Sequence, residues 1–240
     1  MNFPTGDPII NNDDSVPIEK QYSQYFKNRD LIGNEVLGSM ATDRWRSDSK
    51  LLGVTLSRYK FVSKMFAGYD SVLEIGAADA WYSRVVLNEV KKLTLSDFDK
   101  IWLTDFETQE IYQISGTEYL IHNFVDTKLS RVFEGVYALD VLEHIDPNDQ
   151  ESFISNICSS LLPYGAAIFG MPSAESQIYA SEGSKAGHVN CQSGVELKKN
   201  LKQYFQNVFI FSMSDEVVHT GFTPMAHYLL ALCVNPKYSG

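Results

Sequence analysis

The chain has 240 residues, of which 44% are hydrophobic and 21% charged, enough to bury one core in an ordinary globular domain. Its 20 Lys and Arg against 30 Asp and Glu leave a net charge of −10, with adjacent basic pairs only at 91–92 and 198–199, which argues against a nucleic-acid partner. Cys158, Cys191 and Cys233 form neither a disulfide framework nor a zinc pattern, MNFPTGDPIINNDD is no signal peptide, and YLLALCV is too short to span a bilayer, so a cytoplasmic protein without membrane insertion is expected.

In chain order, residues 1–20 carry Pro4, Gly6, Pro8 and Pro17 among Asp and Asn and read as an irregular arm. From Gln21 to Met40 the apolar spacing describes an amphipathic helix broken at Gly33 and Gly38. The charged segment TDRWRSDSK separates it from a second helix over Leu51–Phe66, which Gly68 stops. The pattern thus divides an N-terminal arm and helical extension, residues 1–50, from a main domain, residues 51–240.

The main domain alternates. Strands are predicted at 71–75, Leu93–Ser96, Glu118–His122, Gly135–Leu139, Tyr164–Gly170, Val208–Met213 and 226–234. Helical segments are predicted over Trp81–Val90, Ile101–Ile114, Asn148–Leu162 and Val195–Phe205. Such alternation predicts a doubly wound α/β fold. The polar stretch 171–192 is too long for an ordinary connection and reads as a substrate loop.

Ser71 to Asp99 is the stretch around which the chain is organised. An apolar run meets a Gly-Ala-Ala turn, a helix-like segment follows, and a second apolar run ends in Asp97, 21 residues past Gly76. This describes a β-α-β unit gripping a ribosylated cofactor, and one turn glycine where a dinucleotide fingerprint has three disfavours NAD.

VLEIGAADA resembles the first motif of class I S-adenosylmethionine-dependent methyltransferases: Glu74 and Gly76 match, and Ala78 and Ala80 stand where glycines are usual. Asp97 matches the acid ending the second strand, and YALDVLEHIDP, Tyr137–Pro147, resembles the motif ending the fourth. The resemblance spans roughly residues 55–235. It implies a Rossmann-like, seven-stranded, mostly parallel sheet in the order 3-2-1-4-5-7-6, with an antiparallel last strand. The implied cofactor is S-adenosyl-L-methionine, leaving S-adenosyl-L-homocysteine as product. By the same resemblance Gly76, Ala77 and Ala78 admit the cofactor closely, Asp97 accepts its ribose hydroxyls, Phe98 stacks on adenine, and Asp126 accepts from the adenine amino group. Asp140 and Val141 line the cofactor edge with Glu143 near the sulfonium, Glu74 orients the loop through backbone amides, and Tyr59, near Arg58 and Lys60, lines the mouth.

On the acceptor side His144 is the candidate general base, four residues past Asp140; the alternative is a histidine that buttresses the short segment before Pro147. Tyr179, Lys185, His188 and Asn190 on the 171–192 stretch, and His219, Thr220 and His227 beyond it, offer polar contacts to an acceptor. Arg44 and Arg46 flank Trp45 and either hold a phosphate or carboxylate or form a solvated charged turn. No HExxH or paired-cysteine pattern points to a metal. LSRYKFVSKM, Tyr179–Ser181, GHVNC and DEVVHTGF with PMAHY are similar to bacterial methyltransferases that occur with surface (capsular) polysaccharide biosynthesis. The expected acceptor is a small polar molecule: a sugar, nucleotide sugar or phosphorylated small molecule. The expected reaction is O-methylation of a sugar or sugar-linked phosphoramidate. N-methylation of an amino sugar or phosphorylated amine is an alternative, and so, given Ala78 and Ala80, is a non-catalytic cofactor-binding module.

Overall fold

The structure is a computed structural model that describes residues 17–237; the arm read over residues 1–20 lies outside the described residues up to position 16. Internal contacts divide the chain after Val36 into two units. The described part of the first holds helix α1, Ser23–Ile32, which buries no residue and ends at Gly33. That glycine sits at φ 75°, a backbone conformation an L side chain disfavours, so the helix stops where the sequence places a breaker.

The second unit opens with α2, Ser39–Asp48, and α3, Lys50–Met65. Gly38 is the N-cap of α2, so the two glycines do bound the break. The charged segment expected to separate two helices is nonetheless itself helical. Its first-turn amides find acceptors far away in sequence, since Asp79 Oδ2 accepts from Ala41 N at 3.0 Å and Asp105 accepts from Ser39. A cap supplied from another part of the fold is invisible to local pattern.

Eight strands form one sheet: β1 Val72–Ile75, β2 Leu93–Asp97, β3 Glu118–Ile121, β4 Phe133–Leu139, β5 Leu161–Pro172, β6 Phe205–Ser214, β7 Val217–His219 and β8 Tyr228–Pro236. Their order is β3-β2-β1-β4-β5-β8-β6-β7. The first five pair in parallel, and β8 runs antiparallel between β5 and β6. This is the expected seven-strand order with one addition, the three-residue β7 paired antiparallel to the end of β6.

The helices are shorter than their apolar spacing suggests. Trp81–Val90 yields a 3-10 turn, Trp81–Ser83, and the single turn α4, Arg84–Leu87. Ile101–Ile114 splits into α5, Leu103–Glu107, and α6, Glu110–Ser115, around Thr108 and Gln109. Helix α7, Gln150–Ser159, ends early because Leu161 already opens β5. The 171–192 stretch is not irregular throughout: it finishes β5, makes a 3-10 turn at Glu175–Tyr179 and contains α8, Glu182–Gly187. Helix α9, Gly194–Leu201, starts at a capping box of Ser193 and Glu196.

Two apolar clusters sandwich the sheet. Alternation along β1 sends Val72 to the cluster with Tyr59, Val62 and Tyr137, and Leu73 and Ile75 to the cluster with Ile154, Ile157, Leu197 and Leu201. Among the described residues no helix is long and apolar enough to cross a membrane.

Candidate active site

The carboxyl ends of β1, β2 and β4 meet at the turn 76–80. Gly76 has φ 75°, and a Cβ there would stand 2.3 Å from Val141 Cγ2. No other residue fits, because both the backbone angle and the approach of Val141 exclude a side chain. Gly76 N and Ala77 N donate to Ser96 O, so the turn is stitched to β2.

Ala78 and Ala80 adopt φ 46° and 61°, the left-handed region that alanine disfavours by roughly 1–2 kcal/mol. They are held there by three consecutive carbonyls. Tyr119 Oη donates to Ala78 O at 2.8 Å, Gln109 Nε2 to Asp79 O, and Tyr112 Oη to Ala80 O. Strain of this kind persists where its surroundings over-determine the backbone. The clamp residues lie at 109–119, outside every motif, and sequence reasoning missed them. The same holds for Asp79, buried with Oδ1 accepting from Trp81 N and Oδ2 capping α2.

Asp97 ends β2 as expected, with 6% exposure. Its Oδ2 accepts from Ala78 N at 3.1 Å and its Oδ1 from Asp99 N at 3.0 Å, while burial raises its pKa. A carboxylate oxygen has two lone pairs, so each retains capacity for a further donor such as a ribose hydroxyl. Phe98 beside it is exposed and free of ring partners among the described residues, as a stacking platform requires. Asp126 is exposed and accepts from Asn123 Nδ2 at 2.8 Å. The turn glycine that only Gly can fill, the buried acid at its side and the open aromatic face fit an adenosyl cofactor.

Glu74 and Tyr59 belong elsewhere. Glu74 shares the face of β1 that points into the α3 layer and is 1% exposed. The resemblance implies contacts with backbone amides, but the Glu74 carboxyl instead accepts from Tyr59 Oη at 2.9 Å and from Tyr137 Oη. Burial pushes its pKa up to about 7. Tyr59, expected by resemblance to line the mouth, is instead buried, with its ring stacked on Tyr82 at 5.5 Å.

Asp140 ends β4 at φ 56°, and Arg58 from α3 donates through one nitrogen to both carboxylate oxygens, at 2.9 and 2.7 Å. Its charge is thus compensated within the protein rather than left for a sulfonium. The Arg58 guanidinium also lies over the Tyr228 ring, 3.8 Å from the centroid. Lys60, two residues on, faces solvent.

The acceptor-side residues part company. His144 and His188 come together, with ring centroids 5.2 Å apart. Asn190 is near them, its backbone N donating to Glu143 O at 3.0 Å, but its amide is spent on Gln150 and Gln192. Tyr179 is 83% exposed. Arg44 lies half-buried on α2, its charge acting on the Tyr82 hydroxyl. His219 does not join them: it sits on β7 at the sheet edge, with β5, β8 and β6 between it and β4, and its Nδ1 accepts from Gly221 N.

Neither a family model nor a curated protein matches the sequence. Solved structures match in fold. The chain is similar to the N-methyltransferase NodS from Bradyrhizobium japonicum WM9 in complex with S-adenosyl-l-homocysteine, at 18% identity and TM-score 0.55, over 80% of this chain and 92% of that one. A DhpI–SAM–HEP complex aligns at 16% identity and TM-score 0.57, over 81% and 91%. An S-adenosylmethionine-dependent methyltransferase from Clostridium acetobutylicum ATCC 824 aligns at 11% identity and TM-score 0.60, over 90% and 100%. The shared feature is the class I methyltransferase fold.

Proposed function

We propose that this chain is an S-adenosylmethionine-dependent methyltransferase acting on a small polar acceptor. The observation that carries the reading is the turn 76–80 held against buried Asp97, in a fold whose solved examples include complexes with that cofactor or its product. When bound, S-adenosylmethionine supplies an electrophilic methyl group on a positive sulfonium. Asp97 receives ribose hydroxyls on its remaining lone pairs, Phe98 covers the adenine, and Asp126 accepts from the adenine amino group. Gly76 and Val141 shape the wall, and the clamp from Gln109, Tyr112 and Tyr119 keeps the turn from moving, so positioning supplies most of the rate gain. His144, His188 and the segment carrying them stand on the acceptor side.

The finer reading is O-methylation of a sugar or sugar-linked phosphoramidate in surface polysaccharide biosynthesis, in the cytoplasm, with residues 51–240 as the catalytic domain. A second reading, N-methylation of an amino sugar or phosphorylated amine, draws support from the likeness to NodS. Calorimetry with S-adenosylhomocysteine tests the cofactor site: Asp97→Ala should lose roughly 1.5–3 kcal/mol of binding, the scale of a charged hydrogen-bond partner. Unchanged affinity in a folded variant refutes the assignment. Incubation of wild type with methyl-labelled cofactor and a panel of nucleotide sugars and phosphoamines, read by mass spectrometry and NMR, identifies the methylated atom. A protein that binds cofactor and methylates nothing across the panel is the non-catalytic module instead.

A further inference from the structure

Glu143 is a buried carboxyl without a hydrogen-bond partner among the described residues: it is 1% exposed and neither oxygen is satisfied there. Leaving such a group unpaired is costly, and its surroundings explain what it lacks. Arg58 is the nearby counter-charge, but Asp140 already occupies it.

Two imidazoles face this carboxyl. His144 follows it on the same 3-10 turn, Leu142–His144, and His188 arrives from the end of α8. Potential ligand atoms of Glu143, His144 and His188 lie within 4.8 Å of one another. His144 Nδ1 bonds Gly187 O at 2.9 Å, and His188 Nδ1 bonds Gln177 Oε1 at 2.8 Å. Both partners are carbonyl oxygens that only accept, so each Nδ1 carries a proton, and in the neutral ring the lone pair is then at Nε2. Histidines that ligate metals are oriented in this way. Val189 N and Asn190 N donate to Glu143 O at 2.8 and 3.0 Å, tying the two halves of the cluster together.

We propose that Glu143, His144 and His188 bind a divalent first-row transition metal of the zinc class and leave at least one coordination position open. Two imidazoles and one carboxylate are a donor set suited to such ions, whereas magnesium and calcium take oxygen ligands. Bonds of about 2.0–2.1 Å in a tetrahedral site put ligands about 3.3 Å apart, so the side chains close by at most roughly 1.5 Å on binding. His144 is exposed and free to make that adjustment. Ligation also withdraws His144 from the role of general base. Metal binding does not depend on the methyl-transfer reading; where that reading holds as well, the open position is available to an acceptor oxygen.

The test uses the full chain without a histidine tag, stripped with chelator. Titration with Co²⁺ should give one equivalent with the intense visible bands of a four- or five-coordinate ion, and Zn²⁺ should displace it. Glu143→Gln and His188→Ala should each weaken Zn²⁺ binding by more than about 100-fold, exceeding the roughly 10–100-fold typical of an outer-shell partner. Far-ultraviolet circular dichroism should be unchanged, and affinity for S-adenosylhomocysteine, which carries no sulfonium, should stay near wild type. Absence of a stoichiometric Co²⁺ spectrum overturns the proposal, as does wild-type Zn²⁺ affinity in both variants. A wild-type protein that binds Zn²⁺ but not S-adenosylhomocysteine upholds the metal site while sinking the methyl-transfer reading.

Discussion

Glu74→Gln separates the charge of the first-motif acid from its shape. Glutamine can accept one tyrosine hydroxyl through its oxygen and donate to the other through its amide, so the contacts with Tyr59 and Tyr137 have a neutral equivalent. The folded-state pKa of about 7 lies above the ordinary 4.5, so the fold prefers the protonated carboxyl. The stability this contributes is therefore full below about pH 4.5 and is lost as pH rises through about 7. At about 1.4 kcal/mol per pH unit the whole gap is about 3 kcal/mol, of which about 2.5 falls between pH 5 and 8.5. Urea unfolding of both proteins across that range should show wild type losing about 2.5 kcal/mol more than the variant. Asp79 and Asp97, also raised by burial, are common to both and cancel in the difference. Parallel curves would mean that Glu74 is charged in the folded protein at neutral pH and that its burial does not govern its proton.

Asp79→Ala removes the remote cap of α2 and should cost about 1–2 kcal/mol, with faster hydrogen exchange at the Ala41 amide; unchanged exchange there rules out the capping role. Ala78→Gly should relieve left-handed strain of roughly 1–2 kcal/mol while returning roughly 0.4–1 to the unfolded chain, a net gain of about 0.5–1 kcal/mol and about 1–4 °C in melting temperature. Ala80→Gly should be nearer neutral, since its buried methyl is lost as the strain is relieved. A lower melting temperature for Ala78→Gly would show that the clamp does not strain that residue.

The alternation of strands and helices was legible in the sequence because apolar runs recur between segments of helical spacing, with Tyr164–Gly170 apolar on both faces, and the order of the sheet was legible through the resemblance carried by the two motifs at Glu74–Gly76 and Tyr137–Pro147. Local pattern failed where a group is satisfied from a distance. The charged run at 42–50 looks like a separator until Asp79 and Asp105 cap it. Glu74 reads as a site acid by motif, yet β-strand alternation turns it into the helix layer. His144 and His188 were each singled out, but their meeting depends on backbone bonds from 189 and 190 to Glu143 O, across more than forty residues of chain. For Glu143 the resemblance implies only a charge near a sulfonium, because nothing in LEHI says that Asp140 claims the arginine. The residues most easily missed, Gln109, Tyr112 and Tyr119, act on carbonyls, which leave no pattern in the motif they hold.

The position of β8 has a consequence for biogenesis. It lies between β5 and β6, which come earlier in the chain, and no direct pairing joins those two strands. Until residues 228–236 leave the ribosome, β5 presents an unpaired edge from Ala166 to Pro172 and β6 has no partner but the short β7. A nascent chain paused before that point carries two sticky borders, a template for pairing with its neighbours on the same message. Insertion of β8 closes both at once. Substitutions such as Ala231→Asp, which place a charge at a fully buried position of β8, should therefore lower yield through aggregation of chains whose β5 and β6 edges stay open, while the turn 76–80 lies on the far side of β4.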